Sequence, residues 1–267
     1  MPDDDAVTRD DLLAVVERSP AAAAAHRRED WVGLFTAGGV VEDPVGSRPH
    51  RGHPELERFY DTFIGPRDIT FRRDTDVVVG ATVVRDLELE VRMSADLVMR
   101  IPAYLRYDVD VEAMKIARLQ AHWELPAMVV QFARSGVAAA PAGVALTRAL
   151  LGNQRFSGTA GFLSGFRGVG HRGRRHLVGL LEDASSGDEV AVRRRMADSA
   201  IVTLGDDARL GTSELVSRLD GARWQKMIAA GNSVAVGVEQ GSRRSVLIAQ
   251  LSTRPMAIAR LRLFTEG

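Results

Sequence analysis

Cysteine is missing from all 267 residues, which excludes disulfides, thiol catalysis and thiolate metal sites. Lysine is nearly missing too: Lys115 and Lys226 are the only two, so arginine supplies almost all the positive charge, a bias of composition with no functional content. Neither sign of charge prevails, with 35 Lys and Arg against 35 Asp and Glu. The chain as a whole therefore offers no electrostatic attraction for nucleic acid or an anionic membrane. No uncharged run approaches the length of a membrane span. The acidic start, Met1 to Asp5, lacks the apolar stretch of a secretory signal. What is present is ordinary for a globular chain: 45% hydrophobic and 26% charged residues. The length suits one large domain or two of common size. The expectation is a soluble, cytoplasmic protein.

The order of elements repeats along the chain. Leu12, Leu13, Val15 and Val16 recur at helical spacing, and the alanine run at 21–25 extends that helix despite Pro20. A short helix around Asp30 to Phe35 ends at Gly38-Gly39. A strand at 40–43, a Pro- and Gly-rich turn, and a helix from Pro54 to about Phe63 follow. Strands are then expected at 69–73, 75–84, 87–93, 95–100, 104–109 and 116–123. Leu87, Leu89, Val91 and Met93 alternate with charged residues, the pattern of a half-buried strand. Residues 126–175 read as a connector of helix and glycine-rich loop. From 176 helices are expected at 176–183, 189–196 and 212–219, with strands at 200–204, 233–238, 243–252 and 256–264. Met196 to Val202 is similar to Phe35 to Val41. Helices followed by a run of strands argue an α+β fold, and the repeat argues a tandem duplication. The expected domains are 1–125, the connector 126–175, and a degenerate second copy at 176–267.

Within the first copy, Val41-Glu42-Asp43-Pro44-Val45-Gly46 places a carboxylate among apolar neighbours. Burying Asp43 costs free energy unless it is paired or has a task. A dry pocket would raise its pKa, as a general base for weakly acidic C–H bonds requires. The plain reading is an aspartate capping the turn before Pro44.

These residues, with Phe35, Pro49, Gly52, Phe59-Tyr60 and Gln120-Ala121-His122-Trp123, resemble the nuclear-transport-factor-2-like (SnoaL-like) superfamily. Within it they look most like the Δ5-3-ketosteroid isomerases, over roughly residues 10–125. The resemblance implies two cone-shaped domains, each a curved antiparallel sheet with helices on one face. It implies a cofactor-independent isomerase moving a proton next to a carbonyl in a steroid- or terpenoid-like hydrophobic substrate. Asp43 matches the base. Trp123 matches an aromatic of the pocket, and Tyr60 a tyrosine that supports the oxyanion donor. Phe59, Phe35, Leu119 and Leu89 complete the implied substrate wall. The family's two oxyanion donors fall elsewhere. The tyrosine position lands at or near Ser19. The aspartate position lands on Arg106 without a gap, or on Ala103 or Leu105 with a longer hairpin. Arg106 could act as a cationic donor, pair with Asp43, or form an ion pair with Asp108 or Asp110.

Other readings stand beside this one. A non-catalytic ligand-binding or scaffold module would keep the pocket and lose the chemistry. Arg106 and Asp108 share a strand face, as in limonene-epoxide-hydrolase-like members of the superfamily, although no clear third acid follows. In the second copy the position of Asp43 falls on Thr203 or Leu204, so that module is expected to be inactive and to pack against the first. The implied assembly is an intramolecular pseudo-dimer or a homodimer. Gly168 to Gly173 matches a dinucleotide fingerprint by letter, but lacks the preceding β-branched run that the mechanism needs. The basic cluster His171 to His176 suits contact with an acidic face of the other module. His26, His50, His53 and His122 show no metal-ligand spacing; no metal and no cofactor are expected.

Overall fold

The computed structural model describes residues 7–94, 97–134 and 168–266. Helix α1 (Arg9–Ala24) starts where Thr8 accepts the Asp11 amide and the Asp11 side chain returns the bond, a capping box. After α2 (Arg28–Gly33) come β1 (Phe35–Glu42), the short β2 (His50–Arg51) and α3 (Gly52–Phe59), which runs into a π-helical turn at Tyr60–Ile64. Four long strands complete the first unit: β3 (Asp68–Val79), β4 (Thr82–Ser94), β5 (Leu97–Asp110) and β6 (Lys115–His122). Helix α4 (Leu125–Arg134) follows. The second unit repeats the order with α5 (Gly170–Ser185), α6 (Glu189–Arg194), β7 (Met196–Leu204), β8 (Ala208–Arg209), α7 (Thr212–Leu219), β9 (Arg223–Ala230), β10 (Ser233–Gln240), β11 (Arg243–Thr253) and β12 (Met256–Thr265).

Each unit is a six-stranded sheet carrying helices, ordered β2-β1-β6-β5-β4-β3 and β8-β7-β12-β11-β10-β9. The two expected α+β units are thus present, with one correction to the sheets. They are mixed rather than antiparallel, because β1 runs parallel to β6 and β7 parallel to β12. The expected strands at 75–84 and 87–93 are redrawn around Gly80, whose φ of +55° makes the turn between β3 and β4. Those at 95–100 and 104–109 are one strand that passes through Pro102. The helix expected from 176 begins at Gly170. The rest of the glycine-rich connector, 135–167, lies outside the described residues. No described helix is long and apolar enough to cross a membrane.

Each unit has its own core, and a third cluster joins them. Val77, Val84 and Tyr104 of the first sheet meet Ile228, Ala235, Val246, Ile248 and Phe264 of the second. The two sheets therefore pack outer face to outer face, leaving each inner face to its own helices. Polar clasps fix the register of that packing. Lys226 pairs with Asp86 and donates to the carbonyls of Leu87 (2.6 Å) and Ala103 (3.0 Å), while the Tyr104 hydroxyl donates to the Lys226 carbonyl at 3.0 Å. Glu124 accepts the Ala229 amide at 2.8 Å and pairs with Arg174, a member of the basic cluster.

Candidate active site

Asp43 owes its position to the end of β1. Val40 and Val41 bury their side chains, and Glu42 then ties the turn back to the sheet by accepting from Gly46 N–H (2.9 Å) and from Gln120 Nε2 (2.8 Å). The Val45 amide donates to the Ala121 carbonyl at 2.8 Å. Gly46 has φ +93°, and a side chain there would strike the Gly231 backbone of the second unit at 2.5 Å. The loop that carries the carboxylate is thus wedged between β6 and the second unit. The Asp43–Pro44 bond inside it is cis.

Beyond this turn lies a cavity of about 140 Å³, open on one side. Its walls are mostly apolar, with Phe59, Phe63, Phe71, Leu89, Met99 and Leu119 among them, and helix α4 contributes Met128. Five polar side chains reach it: Ser19, Asp43, Arg67, Tyr107 and Trp123. Asp43 accepts from Trp123 Nε1 at 2.5 Å. Its remaining accessible surface faces the cavity, so it is half-buried by area but bordered by apolar groups. Burial raises its pKa to about 6, and the Trp123 hydrogen bond only partly opposes this.

Opposite elements supply the donors. Tyr107 on β5 is buried and lines the cavity together with Ser19 of α1; burial pushes its pKa up to about 12, with the nearby Arg85 and Ser19 pulling the other way. Arg85 is itself held by Asp76 (2.7 Å) and Glu17 (2.8 Å). At neutral pH the cavity therefore presents a mostly ionised carboxylate, a hydrogen-bond acceptor, and a neutral phenol, which can donate.

Of the residues expected here, Asp43, Trp123, Phe59, Leu119 and Leu89 line the cavity. Phe35 and Tyr60 stand behind the wall, packed on Trp31 with ring centroids 4.8 and 5.6 Å away, while Trp31 itself lines the cavity. The buried Tyr60 hydroxyl has no hydrogen-bond partner among the described residues.

Arg106, expected in the site, lies outside the cavity, and of its three expected placements the ion pair with Asp108 is the one found. Alternation along β5 turns Leu105 and Tyr107 inward and Arg106 to the other face. There Arg106 bonds Asp108 (2.9 Å) and Asp206 of the second unit (2.7 Å) and lies over the Phe264 ring. It is an inter-unit ion pair, and with it the Arg106–Asp108 epoxide-hydrolase arrangement loses its pocket. Ser19, Arg67 and Tyr107 were not recognised as donors. Tyr107 could have been found by the same alternation that excludes Arg106. Among the described residues no three His, Asp or Glu side chains converge in a way that could hold a metal ion.

Residues 12–108 match the Nuclear transport factor 2 (NTF2) domain. Solved structures similar to the chain include the Δ5-3-ketosteroid isomerase from Mycobacterium sp., 28% identical, covering 44% of this chain and 96% of that one with a TM-score of 0.42. RV0760c from Mycobacterium tuberculosis, in complex with estradiol-17β-hemisuccinate, is 22% identical over 43% of this chain and 95% of that one, with a TM-score of 0.41. An LEH-like epoxide hydrolase of M. tuberculosis is 16% identical over 48% and 94%, with a TM-score of 0.42. No curated protein matches the sequence.

Proposed function

We propose that the first unit is a cofactor-independent proton-transfer enzyme of the isomerase type, with Asp43 as its general base. The observation that carries this reading is a carboxylate in a mostly apolar cavity, raised to about 6 by burial and held by one donor, Trp123. A base with that pKa is largely ionised at pH 7 yet strong enough to share a proton with carbon next to a carbonyl. Asp43 takes the proton from one carbon and returns it to another. The developing enolate oxygen is held by the phenol of Tyr107, backed by Ser19. These two groups supply the polarisation that the resemblance assigned to a tyrosine on the first helix and an aspartate on the strand.

The cavity's size bounds the substrate. A dry apolar cavity of about 150 Å³ accommodates benzene, so the space of about 140 Å³ encloses the reacting ring. The remainder of a steroid or terpenoid body leaves through the open side. A test follows the absorbance of the conjugated enone as the protein acts on a β,γ-unsaturated 3-ketosteroid and on a single-ring β,γ-unsaturated ketone. Turnover that Asp43→Asn abolishes supports the reading, and wild-type protein inert toward both ketones contradicts it.

A non-catalytic ligand-binding module is the second reading. It is favoured by Ser19 and Leu105, which line the cavity at two of the positions where the resemblance implies donors. Binding of the ketones without turnover would select it. In either case we infer that the second unit serves as a built-in partner, since its sheet covers the outer face of the first and its Gly231 abuts the Asp43 loop.

A further inference from the structure

Among the described residues Arg67 is the single cation in the cavity wall. Its Nη1 donates to the carbonyls of Thr62 (2.7 Å) and Phe63 (3.0 Å) at the end of the π-helical turn, which pins the side chain. Those two bonds use only one nitrogen. No acidic side chain lies within ion-pair distance of Arg67 among the described residues, and no protein group bonds its Nε or Nη2. That Nε–Nη2 edge is the one with which other arginines of this chain grasp carboxylates. Arg28 holds Asp61 that way at 2.8 and 3.2 Å, Arg72 holds Glu90 at 3.0 and 2.7 Å, and Arg85 holds Asp76 at 2.7 and 3.0 Å.

Arg67 is half-buried, and a guanidinium set against apolar walls without an ion-pair partner gives up part of its hydration. Burial already pulls the pKa of Arg67 below its usual value. Asp43 does not serve as that partner, because its own pKa is set by burial and Trp123 alone. The cavity therefore carries a base and, separately, a cation whose two-toothed edge matches a carboxylate.

We propose that Arg67 binds a carboxylate on the ligand, so that the natural ligand of this cavity is an apolar ring compound bearing an acid group. The assignment rests on the cavity being the functional site, and it extends that reading to the class of substrate. An acid group paired with Arg67 is anchored away from Asp43 and leaves the neutral, reacting end of the molecule to the base.

Isothermal titration with 2-naphthoate and its neutral counterpart 2-naphthamide separates the acid group from the rings. Wild-type protein is expected to bind naphthoate at least tenfold more tightly than naphthamide. Arg67→Gln should remove that preference while changing naphthamide affinity by less than about twofold, and Arg67→Lys should keep part of it. Naphthamide binding also reports whether the variant's cavity is intact. Equal affinities in the wild type, no binding of either compound, or equal losses of both in Arg67→Gln would overturn the assignment. Asp43→Asn should leave the preference in place. A failed preference with active turnover of neutral ketones thus removes the acid-group proposal alone, and a sustained preference without turnover removes only the catalytic one.

Discussion

The two units share an order of elements and a sheet topology, yet the first encloses a mostly apolar cavity that a few polar side chains enter, while the described residues at the matching places in the second are aliphatic or small. Their registers allow residue-by-residue comparison. Val41 lies beside Leu119 as Val202 lies beside Leu261. Two residues past Val41 is Asp43; two past Val202 is Leu204, which packs on the second core. Tyr107 is paired with Leu119, and Ala249 holds the same place opposite Leu261. Ser19 and Leu180 occupy the same position in α1 and α5, helices of 16 residues each. Trp123 is matched by Thr265. Every polar group proposed for the chemistry has an aliphatic or small counterpart, and Leu180, Val236, Leu247, Ala249 and Leu261 are buried with no exposed area.

The cavity itself comes from insertion and strand length. After α3 the first unit adds the π-helical turn and Arg67 before β3 opens at Asp68, whereas β9 opens at Arg223, close behind the end of α7 at Leu219. Strands β3, β4 and β5 have 12, 13 and 14 residues, against 8, 8 and 11 for β9, β10 and β11. The longer strands extend beyond the helices and the added turn walls off the space between. One fold is thus kept in both units by periodic apolar positions, while the cavity depends on a few side chains, longer strands and one added turn that only the first has.

The largest expected effect separates the units by activity. Asp43→Asn should lower kcat by about 10²–10⁴-fold on a β,γ-unsaturated ketone, the usual worth of a positioned general base. Removing Leu204 should change kcat little. Next, Tyr107→Phe should lower kcat by about 10²-fold or more through loss of an oxyanion donor, with KM for a neutral ketone nearly unchanged. Ala249→Ser in the second unit should leave both constants as they are. Steady-state kinetics on the four variants checks this pair of contrasts.

Stability should show the reverse ranking. Leu180→Ser opens a cavity in the second core and buries a hydroxyl there, and should cost about 3–5 kcal/mol by urea unfolding. Ser19→Ala, on the cavity side of the first unit, should cost about 1 kcal/mol. A smaller effect has the opposite sign. The pKa of Asp43 is raised on folding from 3.8 to about 6, so the folded state binds its proton more tightly than the unfolded chain does. The ionised group is therefore a cost that grows as pH rises from about 4 to about 6 and is complete above that. Asp43→Asn should stabilise the protein by about 1–3 kcal/mol at pH 8, with the gain vanishing near pH 4. Melting temperatures at the two pH values read it.

How far the sequence could lead differs along the same division. The repeat of elements and most of the long strands were visible because apolar periodicity is local: Leu87, Leu89 and Val91 announce their face without reference to any other residue, whereas β9 (Arg223–Ala230) was not expected. Asp43 and Trp123 were visible because Glu-Asp-Pro-Val-Gly and the strand end are compact motifs. Arg106 was misread because an ungapped count placed it on a position whose face depends on hairpin length. One residue's shift along β5 exchanges the inner face for the outer. Arg67 could not be picked out at all. Its significance is the absence of a carboxylate partner, and only the folded chain shows that Arg28, Arg72 and Arg85 have carboxylates where Arg67 has none among the described residues.

The dependence of kcat/KM on pH for a neutral β,γ-unsaturated ketone tests most directly whether the first unit's buried carboxylate is a working base. The rate should rise with pH through a single ionisation near 6, the value to which burial lifts Asp43, and Asp43→Asn should remove that ionisation along with the activity. A profile that titrates near 4, or one that survives in Asp43→Asn, would contradict it.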